Sequence, residues 1–118
     1  MALSSSIVWE VRTTGAQTNG GGYKTGATGT DFSQQAAAQY ALTTVTSSAA
    51  GAVMLHASAA ADMVGNTWCG VSGTLATLGW YEIISVSVGV SITVDRNWCT
   101  GAVTNGVVHI CGAFKKGG

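Results

Sequence analysis

The chain has 118 residues, 47% of them hydrophobic, with five basic and five acidic side chains that cancel to zero net charge. Charged residues make up 8%, against about 25% in an average soluble domain. That balance, with four Trp and long Val/Ile/Thr runs, excludes a disordered chain and a binder of nucleic acid, whose Lys and Arg would cluster rather than scatter as Arg12, Lys24, Arg96, Lys115 and Lys116 do. The length corresponds to a single domain, with the ends (about 1–6 and 115–118) expected to be flexible arms. No apolar stretch reaches the ~20 residues that cross a bilayer, and Met1-Ala2-Leu3-Ser4 lacks the basic region of a secretory signal. The chain is therefore expected to be made in a cytosol and kept there or carried in an assembly.

Proline is absent, so the 17 glycines, with Asn, must turn the chain. Ile7-Val8-Trp9-Glu10-Val11-Arg12 alternates apolar and polar, the period of a half-buried strand. A glycine-threonine loop follows through residues 13–30. Asp31 is a plausible N-cap for a short α-helix through Leu42, with Gln34 at capping-box spacing and Ala38, Ala41 and Leu42 on one stripe. Thr43-Thr44-Val45-Thr46 returns the chain to β character. Strands are then predicted at residues 52–56, 63–71, 79–88, 90–95 and 107–111, all apolar runs bounded by Gly or Asn. Across a Gly89 turn, residues 79–88 and 90–95 pair as a hairpin, with Ile84, Val86, Val88, Val90, Ile92 and Val94 on the apolar face. The fold class is mainly β: a small antiparallel sandwich or barrel with one short α-helix.

An odd set of cysteines, Cys69, Cys99 and Cys111, reads as buried thiols. A Cys69–Cys99 bridge is the alternative, since both follow a Trp. Edges of a natural sheet are protected by Lys, Pro or bulges. Here Pro is missing and Lys is scarce, so the edges are expected to be paired or covered, and the chain to be a homo-oligomer.

Three stretches, Trp9-Glu10-Val11-Arg12-Thr13-Thr14-Gly15, Thr18-Asn19-Gly20-Gly21-Gly22-Tyr23 and Gly29-Thr30-Asp31-Phe32-Ser33-Gln34-Gln35, resemble a module that opens many tailed-phage virion proteins. Met63-Val64-Gly65-Asn66, Gly79-Trp80-Tyr81-Glu82-Ile83 and Ile92-Thr93-Val94-Asp95-Arg96 are similar to its second half. The resemblance implies a virion structural protein. In longer relatives a parallel β-helix often follows; here the sequence ends at Gly118, which favours a stand-alone virion component over a tail fibre.

No residue set suggests catalysis. His56 and His109 have no Ser-Gly elbow or acidic partner nearby in sequence, and Glu10, Asp31, Asp62, Glu82 and Asp95 are far apart except for the last pair. Glu82 could neighbour Asp95 across the hairpin, but the favoured reading has Asp95-Arg96 anchoring a turn by hydrogen bonds. His109 and Cys111 share a strand face and, with Cys69 or Cys99, make a weak candidate for zinc. The glycine loop lacks the Lys of a phosphate-binding loop, and nothing calls for a cofactor. Trp9, Tyr23, Trp68, Trp80, Tyr81 and Trp98 form the candidate interface set, core packing being the alternative for the tryptophans. The expectation is a non-enzymatic capsid decoration (cement) protein, a homo-oligomer such as a trimer, bound to the major capsid protein. Its alternative is a carbohydrate-binding or adsorption module, to be distinguished by exposed Trp or Tyr in a groove.

Overall fold

The computed structural model describes residue 11 and residues 13–21, 40–65 and 67–112. Six strands are β1 (Tyr40–Ser47), β2 (Val53–Leu55), β3 (Thr67–Ser72), β4 (Gly79–Ser87), β5 (Ser91–Val94) and β6 (Val103–Ile110). They close into an antiparallel barrel in the order β1-β2-β5-β4-β3-β6, so every strand has a neighbour on both sides. Barrels must bend their strands to close, and this one does so with irregularities in register. One extra residue is inserted in β1 between Leu42 and Val45, one in β3 between Gly70 and Ser72, and one in β4 between Ile83 and Ser85. In the first of these, Thr44 carries a φ of +54°, an uncommon conformation for a β-branched residue.

The interior is filled by alternate side chains of the strands. Val45, Met54, Ile83, Ile92, Val94, Val108 and Ile110 are buried with Trp68, Tyr81 and Trp98. Trp68 and Tyr81 face each other across β3 and β4 and stack at 4.4 Å. Trp98 meets Trp68 edge-on at 6.0 Å. It comes from the loop between β5 and β6 rather than from a strand, and is pinned by its backbone N–H to Gly51 O (2.9 Å) and by its indole N–H to Val53 O (3.2 Å). Such large rings leave no space beside them: a Cβ on Gly70 would lie 2.5 Å from the Trp68 ring, and one on Gly106 would lie 2.9 Å from Val45 O.

The predicted mainly β fold is present, but the last residues of the predicted helix are strand. Tyr40, Ala41 and Leu42, its final residues, open β1; residues 31–39 lie outside the described residues. Among the described residues the helical piece is a single 3₁₀ turn, Ala61–Met63. At Tyr40, Ala41 and Leu42 local helix preference lost to pairing with β6, where Tyr40 sits opposite Ile110 and Leu42 opposite Val108. The predicted first strand, except Val11, and the two chain ends also lie outside the described residues.

The Gly89 hairpin pairs as expected, Ile83 to Ser87 against Ser91 to Val94. Gly89 itself has a φ of +73°, the left-handed conformation the turn needs. The expected apolar face is corrected in detail. The bulge at Ile84 shifts the alternation, so Tyr81 and Ile83 point inward and Ile84 is only half-buried. Val86 packs against the core, while Val88 and Val90 stand in solvent.

Candidate functional site

The six aromatic residues picked from the sequence separate sharply. Trp68, Tyr81 and Trp98 are interior and fill the barrel, so none of them offers an interface. Trp9 and Tyr23 lie outside the described residues. Trp80 remains, 48% exposed. Strand parity explains the division: Trp80 and Tyr81 are adjacent in β4 and must face opposite ways. That signal was present in the alternation Trp80, Tyr81, Glu82, Ile83.

Around Trp80 the site is built from four segments. Residues 16–21 cross the outer face of β3 and β6, turning through Asn19 N–H to Ala16 O at 3.3 Å. Thr67 Oγ1 donates to Gly20 O, and a bridge joins Gly21 to Cys111. The crossing is close enough that a Cβ on Gly20 would fall 2.6 Å from His109 O. Trp80 donates its indole N–H to Asn19 O at 3.2 Å, which fixes the ring at the edge of this segment. Beside it a groove of about 320 Å³ is lined by Gln17, Thr18, Cys69, Leu78 and Trp80. Its lining has no charged side chain. The Cys69 thiol is buried and burial pushes it up, toward the neutral form.

Below Trp80 the polar contacts hold the hairpin rather than perform chemistry. Asp95 accepts the Glu82 backbone N–H (3.1 Å), and the Asp95 N–H donates to Glu82 O (3.0 Å). Arg96 pairs with Asp95 at 3.1 Å and donates to Trp80 O. Its guanidinium lies 4.0 Å over the Tyr81 ring. Glu82 and Asp95 are therefore neighbours across the hairpin, and Asp95-Arg96 anchors it, the anchor as the sequence led one to expect.

A second surface lies at the tip of the same hairpin. Val88 is 66% exposed and Val90 57%, with Val53 and Leu55 exposed on β2. A groove of about 490 Å³ beside them is lined by Thr44, Thr46, Leu55, His56 and Val90. Sequence reasoning placed Val88 and Val90 on the core face. It could not locate the tip, where the chain leaves the barrel wall.

The cysteines are three buried thiols, without a Cys69–Cys99 bridge. Cys99 lies in the loop before β6, bridged to Gly51 and Ala76, while Cys69 is on β3 beside Trp80. His109 and Cys111 do not share a strand face, because β6 ends at Ile110 and Cys111 takes a φ of +63°. Among the described residues no three His, Cys, Asp or Glu side chains gather as a metal ion would need. His56 is held by two backbone groups. No family model, no curated protein and no solved structure matches the chain.

Proposed function

We propose that the chain is a structural building block that works by association, as a capsid decoration protein of a tailed-phage particle. In this reading it is a homo-oligomer, such as a trimer, seated on the major capsid protein. The observation that carries the reading is the combination of a filled barrel and an apolar exterior. Leu55, Leu75, Leu78, Trp80, Val88 and Val90 are exposed, although the core is already closed without them. Charged side chains are too few to keep such faces apart. The virion setting rests on the sequence resemblance. Function would come from area and repetition: an interface of about 1,600 Å² per contact, multiplied by symmetry-related copies. Two measurements test it together, light scattering coupled to gel filtration and co-sedimentation with empty phage shells. An oligomer that sediments with shells supports the reading; a monomer that stays in solution overturns it.

A second reading is favoured by Trp80. A half-exposed indole with its N–H already engaged, flanked by Gln17 and Thr18 in an uncharged groove, has the makings of a platform for a neutral sugar. Titration of host polysaccharide against wild type and Trp80→Ala, read by tryptophan fluorescence, tests it. Saturable quenching lost in the variant supports sugar binding, and an unchanged spectrum rejects it.

A further inference from the structure

Strand β4 meets apolar surface at both of its ends. Where it begins, Leu78 and Trp80 stand exposed, with Leu75 in the loop just before them. Here lies the groove of about 320 Å³ that Gln17, Thr18 and Cys69 also line. Where β4 gives way to β5, the hairpin tip exposes Val88 and Val90, with Leu55 next to them. The strand spans Gly79–Ser87, so the two surfaces lie about 25 Å apart and belong to different contacts. Their shapes are opposite. One is hollow; the other is a ridge, formed by a tight turn from Ser87 to Val90 (Val90 N–H to Ser87 O, 2.9 Å).

We propose that the Val88–Val90 tip of one copy seats in the Trp80 groove of the next, so that the chain associates head to tail with a second copy of itself. Resting on the association reading, this contact supplies its interface. The groove has about twice the ~150 Å³ that holds a benzene ring, room for two valine side chains. Both halves are held ready. Gly89 N–H bonds to Ala59 O (2.8 Å) and His56 N–H to Val90 O (3.0 Å), which fixes the tip. Asn19 O fixes the indole by accepting its N–H. Little ordering is left for docking to cost. The same bond satisfies the only donor of the indole, so covering the ring strands no polar group of that side chain.

The area suffices for a specific contact. At their exposed fractions, Val88, Val90 and Leu55 on one side and Leu75, Leu78 and Trp80 on the other present about 600 Å² between them. An interface is roughly 57% apolar, so covering all of it corresponds to about 1,000 Å² in total, the size at which specific interfaces begin. Among the described residues no Asp, Glu, Lys or Arg lines either side, so burial meets no ionic desolvation cost. The competing seat for the tip is the groove beside it, which Thr44, Thr46 and His56 make the more polar of the two. Symmetry separates them as well. A tip-to-tip contact is self-complementary and stops at two copies, whereas a head-to-tail contact repeats and closes into a ring, such as a trimer, when successive rotations complete a turn.

Gel filtration with light scattering on the full chain tests the pairing through two variants at exposed positions: Val88→Lys with Val90→Lys at the tip, and Leu78→Lys at the groove. Each alone is expected to fall to the mass of one chain, 11.9 kDa. Mixed in equal amounts they are expected to recover a species of two chains and nothing larger. The intact groove of the first accepts the intact tip of the second, while the remaining pair sets lysine against lysine. A mixture that stays at one chain overturns the proposal, as does a Leu78→Lys protein that keeps the wild-type mass. Wild-type mass kept by both variants overturns this contact and leaves the association reading standing; a wild type that is itself a single chain overturns both. A second measurement avoids added charge. Diamide oxidation of mixed Val88→Cys and Leu78→Cys proteins is expected to join one variant to the other, and bonds formed only between two Val88→Cys chains overturn the contact.

Discussion

Arg96, Tyr81, Trp68 and Trp98 form a continuous stack from the surface into the barrel, the guanidinium shielding the phenol ring from water. The two buried indoles in it are not equivalent. Trp98 Nε1 donates to Val53 O, whereas Trp68 Nε1 has no partner among the described residues. Replacing Trp98 by Phe orphans a carbonyl, while the same change at Trp68 removes an orphaned donor. Since an unmet buried polar group costs about 1–3 kcal/mol, Trp68→Phe is expected to be milder than Trp98→Phe by about 1 kcal/mol in urea unfolding. Gly70→Ala, which drives a methyl into the Trp68 ring, is expected to cost about 1–3 kcal/mol by the same measurement. Ionisation adds an alkaline limit. Burial raises Tyr81, with Arg96 partly opposing it, and raises Tyr40 and Cys69 as well; the Tyr40 bond to Asp62 adds to its shift. Groups raised in the folded state stabilise it fully below their unfolded values, about 8.5 for Cys and 10 for Tyr, and that stabilisation is lost as pH climbs through the folded values. The melting temperature is expected to hold to about pH 8 and then fall, with Cys69→Ala delaying the onset.

Among the elements, β1 shows how pairing overrides local preference. Tyr40, Ala41 and Leu42 read as the end of a helix, yet they pair with β6, and the extra residue between Leu42 and Val45 lets Val45 turn inward at the barrel corner. The cost of that corner is concentrated at Thr44, where a β-branched residue occupies left-handed space. Thr44→Gly is expected to raise the urea midpoint, corresponding to about 0.5–1 kcal/mol. A decrease would mean that the Thr44 hydroxyl bond to Thr43 O outweighs the backbone strain. β4 illustrates the same physics from the other side: its bulge moved the core position from Ile84 to Ile83. Period-two patterns specify which residues alternate, but an inserted residue inverts the face from that point on.

For the molecule as a whole, the exposed aliphatics at the hairpin tip and the Trp80 groove leave the exterior poor in charge. Association through such faces is expected to survive 1 M NaCl, because little of it is ionic. Val88→Lys with Val90→Lys is expected to shift the chain toward monomer in gel filtration with light scattering, while the barrel stays folded by circular dichroism.

By itself the sequence determined the β character, the Gly89 hairpin with its Asp95–Arg96 anchor, the buried thiols and the shortage of charge. These follow from local alternation, turn chemistry and composition, which act over a few residues. Tertiary structure decided the rest. Closure into a barrel, the fate of Tyr40 to Leu42, the inward placement of Trp68 and Trp98, and the meeting of His56 with Thr43 all depend on which strands become neighbours. That choice is made by the packed interior, through contacts between residues distant along the chain, and no local pattern encodes it.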